Sequence, residues 1–270
     1  MAANKWTKTP KGYVTMAMVA FLILAAIWTT DFKGIYNGII AVAVSVAVDV
    51  LCSRMARRKR VLPDGAVITG LIIALILSTA TSWYIVAATS ILAILSKHVL
   101  VYKKKPIFNP AAFGLLLSIL FFRSGQSWWG AFGDLPAWTI GILLIGGYLV
   151  TNRVHKFPQV FSFLGTYFIL LLMMGIFQVG DATDALRPPF INASLFFALF
   201  MLTDPPTSPA KDKDQVIFGI LSAVVGAVVY GLFGGLMYLF IGLLVANFYH
   251  LLKNLSLHAS KVQKQSYHKA

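Results

Sequence analysis

The sequence predicts an all-α integral membrane protein with about ten transmembrane helices, arranged as two inverted five-helix repeats. Three observations lead to this prediction. Of the 270 residues, 58% are hydrophobic and the mean hydropathy is +0.78, whereas a soluble domain is about 45–50% apolar. Apolar runs recur along the whole chain, and the basic residues lie almost entirely between alternate runs. Five helices per half, an odd number, give the two halves opposite orientations.

Ten candidate helices follow from these runs, because a membrane crossing takes about 20 apolar residues. In order they are Tyr13–Thr29, Ile35–Ser53, Ala66–Ala80, Trp83–Ser96, Ile107–Phe122, Leu135–Val150, Val160–Phe177, Phe190–Leu202, Val216–Leu232 and Leu236–Leu252. We therefore predict a single polytopic membrane domain. Residues 1–12 form its N-terminal segment, residues 13–252 its membrane core, and residues 253–270 a polar, basic, frayed tail.

The loop charges orient these helices. Twenty of the 23 lysines and arginines lie on one side if both termini share that side, and only Lys33, Arg123 and Arg187 lie on the other. Basic residues are enriched in cytoplasmic loops. We therefore predict a multi-pass protein of the cell (plasma or inner) membrane with both termini in the cytoplasm. The net charge of +14 then reflects these loops and anionic lipid, and no nucleic-acid binding is expected.

No sequence pattern points to a metal site. The five histidines are scattered, and none pairs with another at helical spacing within a predicted span. The single cysteine, Cys52, cannot hold an iron–sulfur cluster, which takes about four. Phosphate loops, nucleophile elbows and HExxH patterns are also absent.

Two groups of residues are interpreted as scaffold. Four tryptophans fall near the predicted outer boundary and are expected to be interfacial anchors: Trp83, Trp128, Trp129 and Trp138. Small residues recur at three- and four-residue spacing on the ninth helix, which predicts close helix packing: Gly219, Ser222, Ala223, Gly226 and Ala227.

The third and eighth helices occupy corresponding positions in the two halves and are both short. The third begins at Pro-Asp-Gly (63–65), and the eighth begins after Pro-Pro (188–189) and ends at Asp-Pro (204–205). Non-helical backbone at membrane depth is tolerated only where protein buries it or where it lines a site. The pair therefore predicts a site between the two halves.

Polar residues near these breaks have two explanations each. Thr69-Gly70 permits close approach of a ligand, although helix packing is the simpler explanation of the glycine. Asn109 is a good N-cap with Pro110 after it, and that helix N-terminus also offers N–H groups to an electron-rich ligand. Asp204 either terminates the eighth helix or begins a new short turn.

Asp49 lies within the second helix. An ionisable residue at that depth is a functional candidate. An ion pair with Arg54, about one turn further along, explains it equally well.

Three motifs lie in order between residues 64 and 209. The first is Asp-Gly-Ala-Val-Ile-Thr-Gly-Leu at 64–71. The second is Ser-Lys-His at 96–98, leading to Phe-Asn-Pro-Ala at 108–111. The third is Phe-Met-Leu-Thr-Asp-Pro-Pro-Thr-Ser-Pro at 200–209. Together these motifs resemble the NqrB/RnfD family, the membrane subunits of the sodium-pumping NADH:quinone reductase and of Rnf electron-transport complexes. By this resemblance the chain is a short, divergent member.

The resemblance implies a urea-transporter-like fold and an electron-transfer subunit rather than a stand-alone enzyme. It implies riboflavin within the membrane, FMN on the outer side, and other membrane redox subunits or an extracytosolic FMN-binding protein as partners. Whether ion transport is coupled stays open. Since the breaks in helices three, five and eight could form an apolar slot for the ring, we hypothesise that a flavin site near the interface of the halves is lined by Thr69, Gly70, Asn109, Asp204 and Thr207.

Family members attach FMN through its phosphate to the threonine of a Ser/Thr-Gly-Ala-Thr motif. This chain has Gly-Asp-Ala-Thr ending at Thr183, so the Ala-Thr matches and the preceding Ser-Gly does not. Covalent attachment at Thr183 therefore stays open.

Two other function classes are compatible with the same fold. One is a transporter or channel for a small solute, although the few polar residues in mid-span argue against an ion pore. The other is a non-catalytic membrane anchor for a flavoprotein partner.

Overall fold

The computed structural model describes residues 6–57, 62–180 and 182–267, and ten helices dominate this part of the chain. They are α1 (Pro10–Thr29), α2 (Lys33–Met55), α3 (Asp64–Ile76), α4 (Trp83–Val99), α5 (Pro110–Phe122), α6 (Ile140–Val154), α7 (Phe157–Ile176), α8 (Pro188–Met201), α9 (Asp212–Phe233) and α10 (Met237–Tyr267). The last five residues of α8, Phe197–Met201, form a π-helical turn.

Short elements complete the chain. A two-stranded antiparallel hairpin, β1 (Val101–Tyr102) and β2 (Lys105–Pro106), joins α4 to α5. Two 3₁₀ turns, Trp129–Ala131 and Ala137–Thr139, lie between α5 and α6, and the one-turn helix Ala182–Ala185 precedes α8.

Helix length separates spanning helices from interrupted ones. In the described part of the chain, six helices are long and apolar enough to cross a membrane, and α3, α4, α5 and α8 are shorter apolar helices. The 13 residues of α3 reach only about 20 Å at 1.5 Å per residue, against about 30 Å of hydrocarbon. The prediction of an all-α membrane protein is thereby confirmed, together with its short third and eighth helices.

Of the predicted boundaries that differ from the observed ones, two call for a physical explanation. The third helix ends at Ile76 rather than Ala80, because Leu77 is extended (ψ 146°) and forms an antiparallel bridge with Gln126. The tenth helix was predicted to end at Leu252, but α10 continues as a helix to Tyr267. Residues 253–267 contain no glycine or proline that would end it.

Helix packing follows the same pattern in both halves. In the first half, α1 packs against α3, α2 along α4, and α4 along α5; in the second, α6 packs against α8, α7 along α9, and α9 along α10. The halves meet through equivalent helices, since α1 contacts α6 and α5 contacts α10. This is the arrangement that two five-helix repeats predict.

One end of the bundle, here called the basic end, gathers the connections that are rich in lysine and arginine. Contacts across it join distant segments: Arg153 donates to the Lys8 carbonyl (2.7 Å), and Lys253 pairs with Asp214 (2.8 Å). The basic end therefore includes the start of α1 and the α6–α7 and α8–α9 connections. Its placement in the cytoplasm stays a prediction.

Two of the four predicted tryptophan anchors are core residues instead. Trp128 and Trp129 are 2% and 7% exposed. The Trp129 indole N–H donates to the Ala74 carbonyl (2.7 Å), and Trp128 stacks on Phe240 with ring centroids 5.6 Å apart. The 3₁₀ turn at Trp129–Ala131 folds this segment inward over α3. Trp83 and Trp138 are exposed, as anchors should be.

The small residues of α9 allow close helix packing, as predicted. A Cβ added at Gly219 would lie 2.2 Å from the Ser162 hydroxyl of α7. A Cβ added at Gly242 of α10 would lie 2.4 Å from the Ser222 carbonyl of α9. Both distances are too short for a larger side chain, so α9 is held closely between α7 and α10.

A glycine on α3 offers a test of this packing. A Cβ at Gly70 would lie 2.7 Å from the Val42 Cα and 2.8 Å from the Ala41 carbonyl, both on α2. We expect Gly70→Ala to destabilise the protein by about 1–3 kcal/mol, because the backbone must shift to relieve the clash. Thermal unfolding of the protein in detergent measures the effect.

The matched control is Gly165→Ala on α7, where an added Cβ meets no atom within 4 Å. This change should stabilise the helix by up to about 1 kcal/mol through alanine's higher helix propensity. Equal melting temperatures for the two variants would contradict the close α2–α3 packing.

Candidate functional site

A cavity of about 720 Å³ opens at the basic end, between the two halves. The first half supplies its walls from α1, α3, the β1–β2 hairpin and the start of α5. The second half supplies the end of α6 and the segment after α8. The volume falls within the range of about 300–1,000 Å³ that is usual for small-ligand pockets.

The cavity changes in character from its floor to its mouth. Buried apolar side chains form the floor, among them Ile72, Val150 and Phe200. Three buried polar residues interrupt them: Thr69, Asn109 and Thr203. The exposed lining residues, which form the mouth, are Thr9, Pro10, Lys11, Leu62, Lys104, Lys105, Pro205 and Pro206. The site is therefore an apolar slot with a few polar points and a basic entrance.

Three of the predicted site residues lie together on this wall, namely Thr69, Asn109 and Asp204. Gly70 does not line the cavity, because it faces α2; the packing explanation of this glycine is the better one. Thr207 supports the wall from behind, donating its hydroxyl to the Asp204 carboxylate (2.9 Å). Their roles as ligand contacts stay predictions.

Thr183 lies apart from these residues. It belongs to the one-turn helix Ala182–Ala185, which precedes α8, whereas the cavity touches the other end of α8. The 14 residues of α8 span roughly 20 Å. The Thr183 side chain lies outside the described part of the structure.

Amide side chains from three helices hold the backbone where α8 ends. Asn109 donates to the Met201 carbonyl (3.2 Å), and Gln159 donates to the Leu202 carbonyl (2.7 Å). Asn247 of α10 donates to the Thr207 carbonyl (3.0 Å) and accepts from the Asn109 N–H (2.9 Å). Buried backbone groups need such partners, so these amides fix the position of the segment that carries Asp204.

Asp204 begins a short turn, which confirms one of its two predicted roles. Its carbonyl accepts the N–H groups of Thr207 (3.2 Å) and Ser208 (3.1 Å). Burial raises the pKa of its carboxyl to about 6, although the Thr207 hydroxyl and the charge of Lys156 act in the opposite direction. The carboxyl therefore changes charge close to neutral pH.

Lys156 is the buried cation beneath this turn. Its side chain is 3% exposed and donates to the Pro209 carbonyl. Burial lowers the pKa of its ammonium group to about 8, opposed by the charge of Asp204. The two groups therefore stabilise each other's charged form across the α6–α7 and α8–α9 connections.

A buried ion cluster adjoins the cavity. Asp49, 3% exposed on α2, accepts from Lys97 (2.8 Å) and contacts the His98 Nε2 atom (2.7 Å). The predicted pairing with Arg54 is therefore wrong, because the partners come from α4 rather than from α2. Lys97 also lines the cavity, so the same side chain contacts both the buried Asp49 carboxylate and the cavity.

The lysines that line the cavity were not among the residues predicted for the ligand site. Lys11, Lys97, Lys104 and Lys105 all line it, but in the sequence they served to orient the helices. For Lys97, its place in the Ser-Lys-His motif was an available signal. No local signal marks the other three, because only the fold brings the start of α1 beside the hairpin.

Comparison with known proteins agrees with the resemblance. A family model described as the NQR2, RnfD, RnfE family matches residues 2–135 and 126–250. These two matches meet between α5 and α6, where the two halves join.

One curated relative is a component of the ion-translocating oxidoreductase complex of Aliivibrio salmonicida (strain LFI1238). It is 29% identical over 91 residues, which are 34% of this chain and 25% of the relative. The match thus spans about a quarter of the relative's length.

The raised pKa of Asp204 gives a prediction with a defined sign. Its folded value, about 6, exceeds the ordinary value of 3.8, so its contribution to stability is complete below pH 3.8 and is lost as pH rises through 6. We expect Asp204→Asn to stabilise the protein at pH 7.5 by up to about 3 kcal/mol, at 1.36 kcal/mol per pKa unit. Thermal unfolding measures the gain, which should shrink at pH 5.

The control for this measurement is Asp134→Asn, at an exposed carboxylate away from the cavity. It should leave the melting temperature nearly unchanged at both pH values. An Asp204→Asn variant that is less stable than the wild type at pH 7.5 would contradict the inference that the charged Asp204 carboxylate destabilises the folded protein.

Proposed function

The chain belongs to the NQR2, RnfD, RnfE family, and on this basis we propose that it is a flavin-binding membrane subunit carrying electrons in an Rnf- or Nqr-type redox system. The observation that carries the proposal is the cavity between the two halves. Its floor is apolar, and three of the residues predicted for a flavin site, Thr69, Asn109 and Asp204, lie on its wall.

The residues of the cavity suit a flavin ring. Ile72, Val150 and Phe200 offer apolar surfaces to its faces. Thr69 donates its hydroxyl to the Gly65 carbonyl (2.9 Å), which leaves the hydroxyl oxygen free to accept from a ring N–H. The bound flavin would supply reversible electron uptake, while the protein binds it, orients it and limits its contact with water.

The electrostatics of the cavity favour a ring that gains negative charge. Three helices begin at or next to its wall: Pro10 and Pro110 line it, and α3 begins one residue before the lining Gly65. Helix N-termini carry partial positive charge. At the end of α8, the carbonyls of Met201 and Leu202 accept hydrogen bonds from the side chains of Asn109 and Gln159. The lysines at the mouth add to the positive potential.

Electrons that cross the membrane need a second redox centre, because the cavity lies at one end of the bundle only. Thr183 lies at the other end of α8, so a flavin there, or on a partner, would provide it. The Aliivibrio relative is named as part of an ion-translocating oxidoreductase complex. We therefore propose other membrane redox subunits or an extracytosolic FMN-binding protein as partners.

Filling the cavity tests the proposal. Val154 lines the cavity at the end of α6, and we expect Val154→Trp to weaken flavin binding at least about tenfold, since the indole occupies the slot. Quenching of riboflavin or FMN fluorescence by the purified protein measures affinity. Leu149→Trp, at an exposed position of the same helix outside the cavity lining, is the control and should bind like the wild type.

Two results would count against a flavin site. One is a colourless wild-type protein that neither flavin reconstitutes, and the other is Val154→Trp binding as tightly as Leu149→Trp. Solute uptake into liposomes without bound flavin would favour a transporter. Co-purification of a flavoprotein with a flavin-free chain would favour an anchor.

The attachment of flavin at Thr183 has a separate test. Because only the Ala-Thr of the family's attachment motif is present, we expect flavin to leave the protein on denaturation, with no fluorescent band in a denaturing gel. A fluorescent band that persists in Thr69→Ala and disappears in Thr183→Ala would instead establish covalent attachment at the outer position.

A further inference from the structure

The mouth of the cavity carries more positive charge than an uncharged flavin requires. Lys11, Lys104 and Lys105 line it and are exposed. Within the described ranges, the ion pairs involve other cations. None of the three lysines takes part in these ion pairs, and Lys11 has only a charge interaction with Asp204.

The hairpin presents one of these lysines, Lys104, from a strained turn. Lys103 and Lys104 are its two loop residues, with φ of 48° and 66°. Such turns favour Asn-Gly, because a side chain at positive φ is sterically costly. Strain of this kind is retained at ligand clamps and other functional positions. Lys104 lines the cavity, whereas the Lys103 ammonium lies over the Tyr102 ring, 5.3 Å from its centroid.

Little negative charge opposes these lysines. Among the described residues, Asp204 is the one carboxylate that lines the cavity, and Asp64 precedes the lining residue Gly65. Asp204 accepts the Thr207 hydroxyl. It interacts with the charge of Lys156 and, more weakly, with those of Lys11 and Lys97. The mouth thus retains an excess of positive charge next to an apolar interior.

We propose that the cavity binds its flavin in the phosphorylated form, FMN, with the phosphate held at the mouth by Lys11, Lys104 and Lys105. This inference rests on the proposed function. A phosphate monoester carries about −1.5 to −2 charges at pH 7, and lysine binds phosphate as a point charge. The riboflavin that the family resemblance implies within the membrane has no phosphate and would leave the lysines without an anionic partner.

Phospholipid headgroups offer the same phosphate chemistry. The two sources differ because the phosphate of FMN is covalently joined to the ring inside the cavity. Removing a lysine that holds it changes the affinity for FMN and not the affinity for riboflavin. A lysine that holds lipid phosphate affects neither flavin directly.

The experiment compares FMN with riboflavin, which differ only in the phosphate. The purified full-length protein, in neutral detergent at low ionic strength, is titrated with each, and fluorescence quenching is followed. We expect FMN to bind about tenfold more tightly, as one or two favourable charge contacts allow. Lys104→Asn should remove most of this preference and leave the riboflavin affinity unchanged.

Lys103→Asn is a closely matched control. Both variants remove one positive charge from the same two-residue loop, and asparagine tolerates positive φ at both positions. Of the two loop lysines, Lys104 lines the cavity and Lys103 does not. Lys103→Asn should therefore keep the preference for FMN.

Three results would overturn the inference: equal affinities for the two flavins, equal effects of the two lysine variants, or loss of the FMN preference when phosphatidylglycerol is added. The last result would assign the lysines to lipid. If neither flavin binds, the proposed function itself fails, which distinguishes that failure from the failure of phosphate selection.

Discussion

The backbone of two interrupted helices is the constraint on which the structure depends. Lipid cannot satisfy the polar groups where α3 and α8 end, so the protein must. Asn37 of α2 donates to the carbonyls of Thr79 and Thr81 after α3 (3.2 and 3.1 Å), and Gln159 of α7 donates to the Leu202 carbonyl after α8. Because α2 and α7 are equivalent in the two halves, the same solution appears twice.

The cavity follows from this arrangement. The start of α3 and the end of α8 meet at the basic end, where neither presents a continuous apolar face, and the space between them remains open. The two carboxylates near the cavity, Asp49 and Asp204, differ in how well their negative charge is compensated. Asp49 is compensated by Lys97 and His98, whereas burial disfavours the charged form of Asp204. A carboxylate kept at a cost in stability is expected where function requires it.

Much of this fold was predictable because lipid imposes strong rules on composition. The ten helices and the breaks at 63–65 and 204–205 follow from apolar runs and their interruptions. The end of α3 could not be predicted from the sequence. Leu77 is as apolar as its neighbours, and it becomes extended only by pairing with Gln126. Trp128 and Trp129 were likewise misplaced, since a 3₁₀ turn folds them over α3.

The sequence by itself determined the helix count, the two interrupted helices and the candidates Thr69, Asn109 and Asp204, because these depend on local composition and on breaks in it. The tertiary structure alone decided that Lys11 and Lys104 share a cavity, that Asp49 pairs with Lys97, and that Gly70 faces α2. These are contacts between segments distant in the chain. They depend on how helices pack, and no local pattern encodes that.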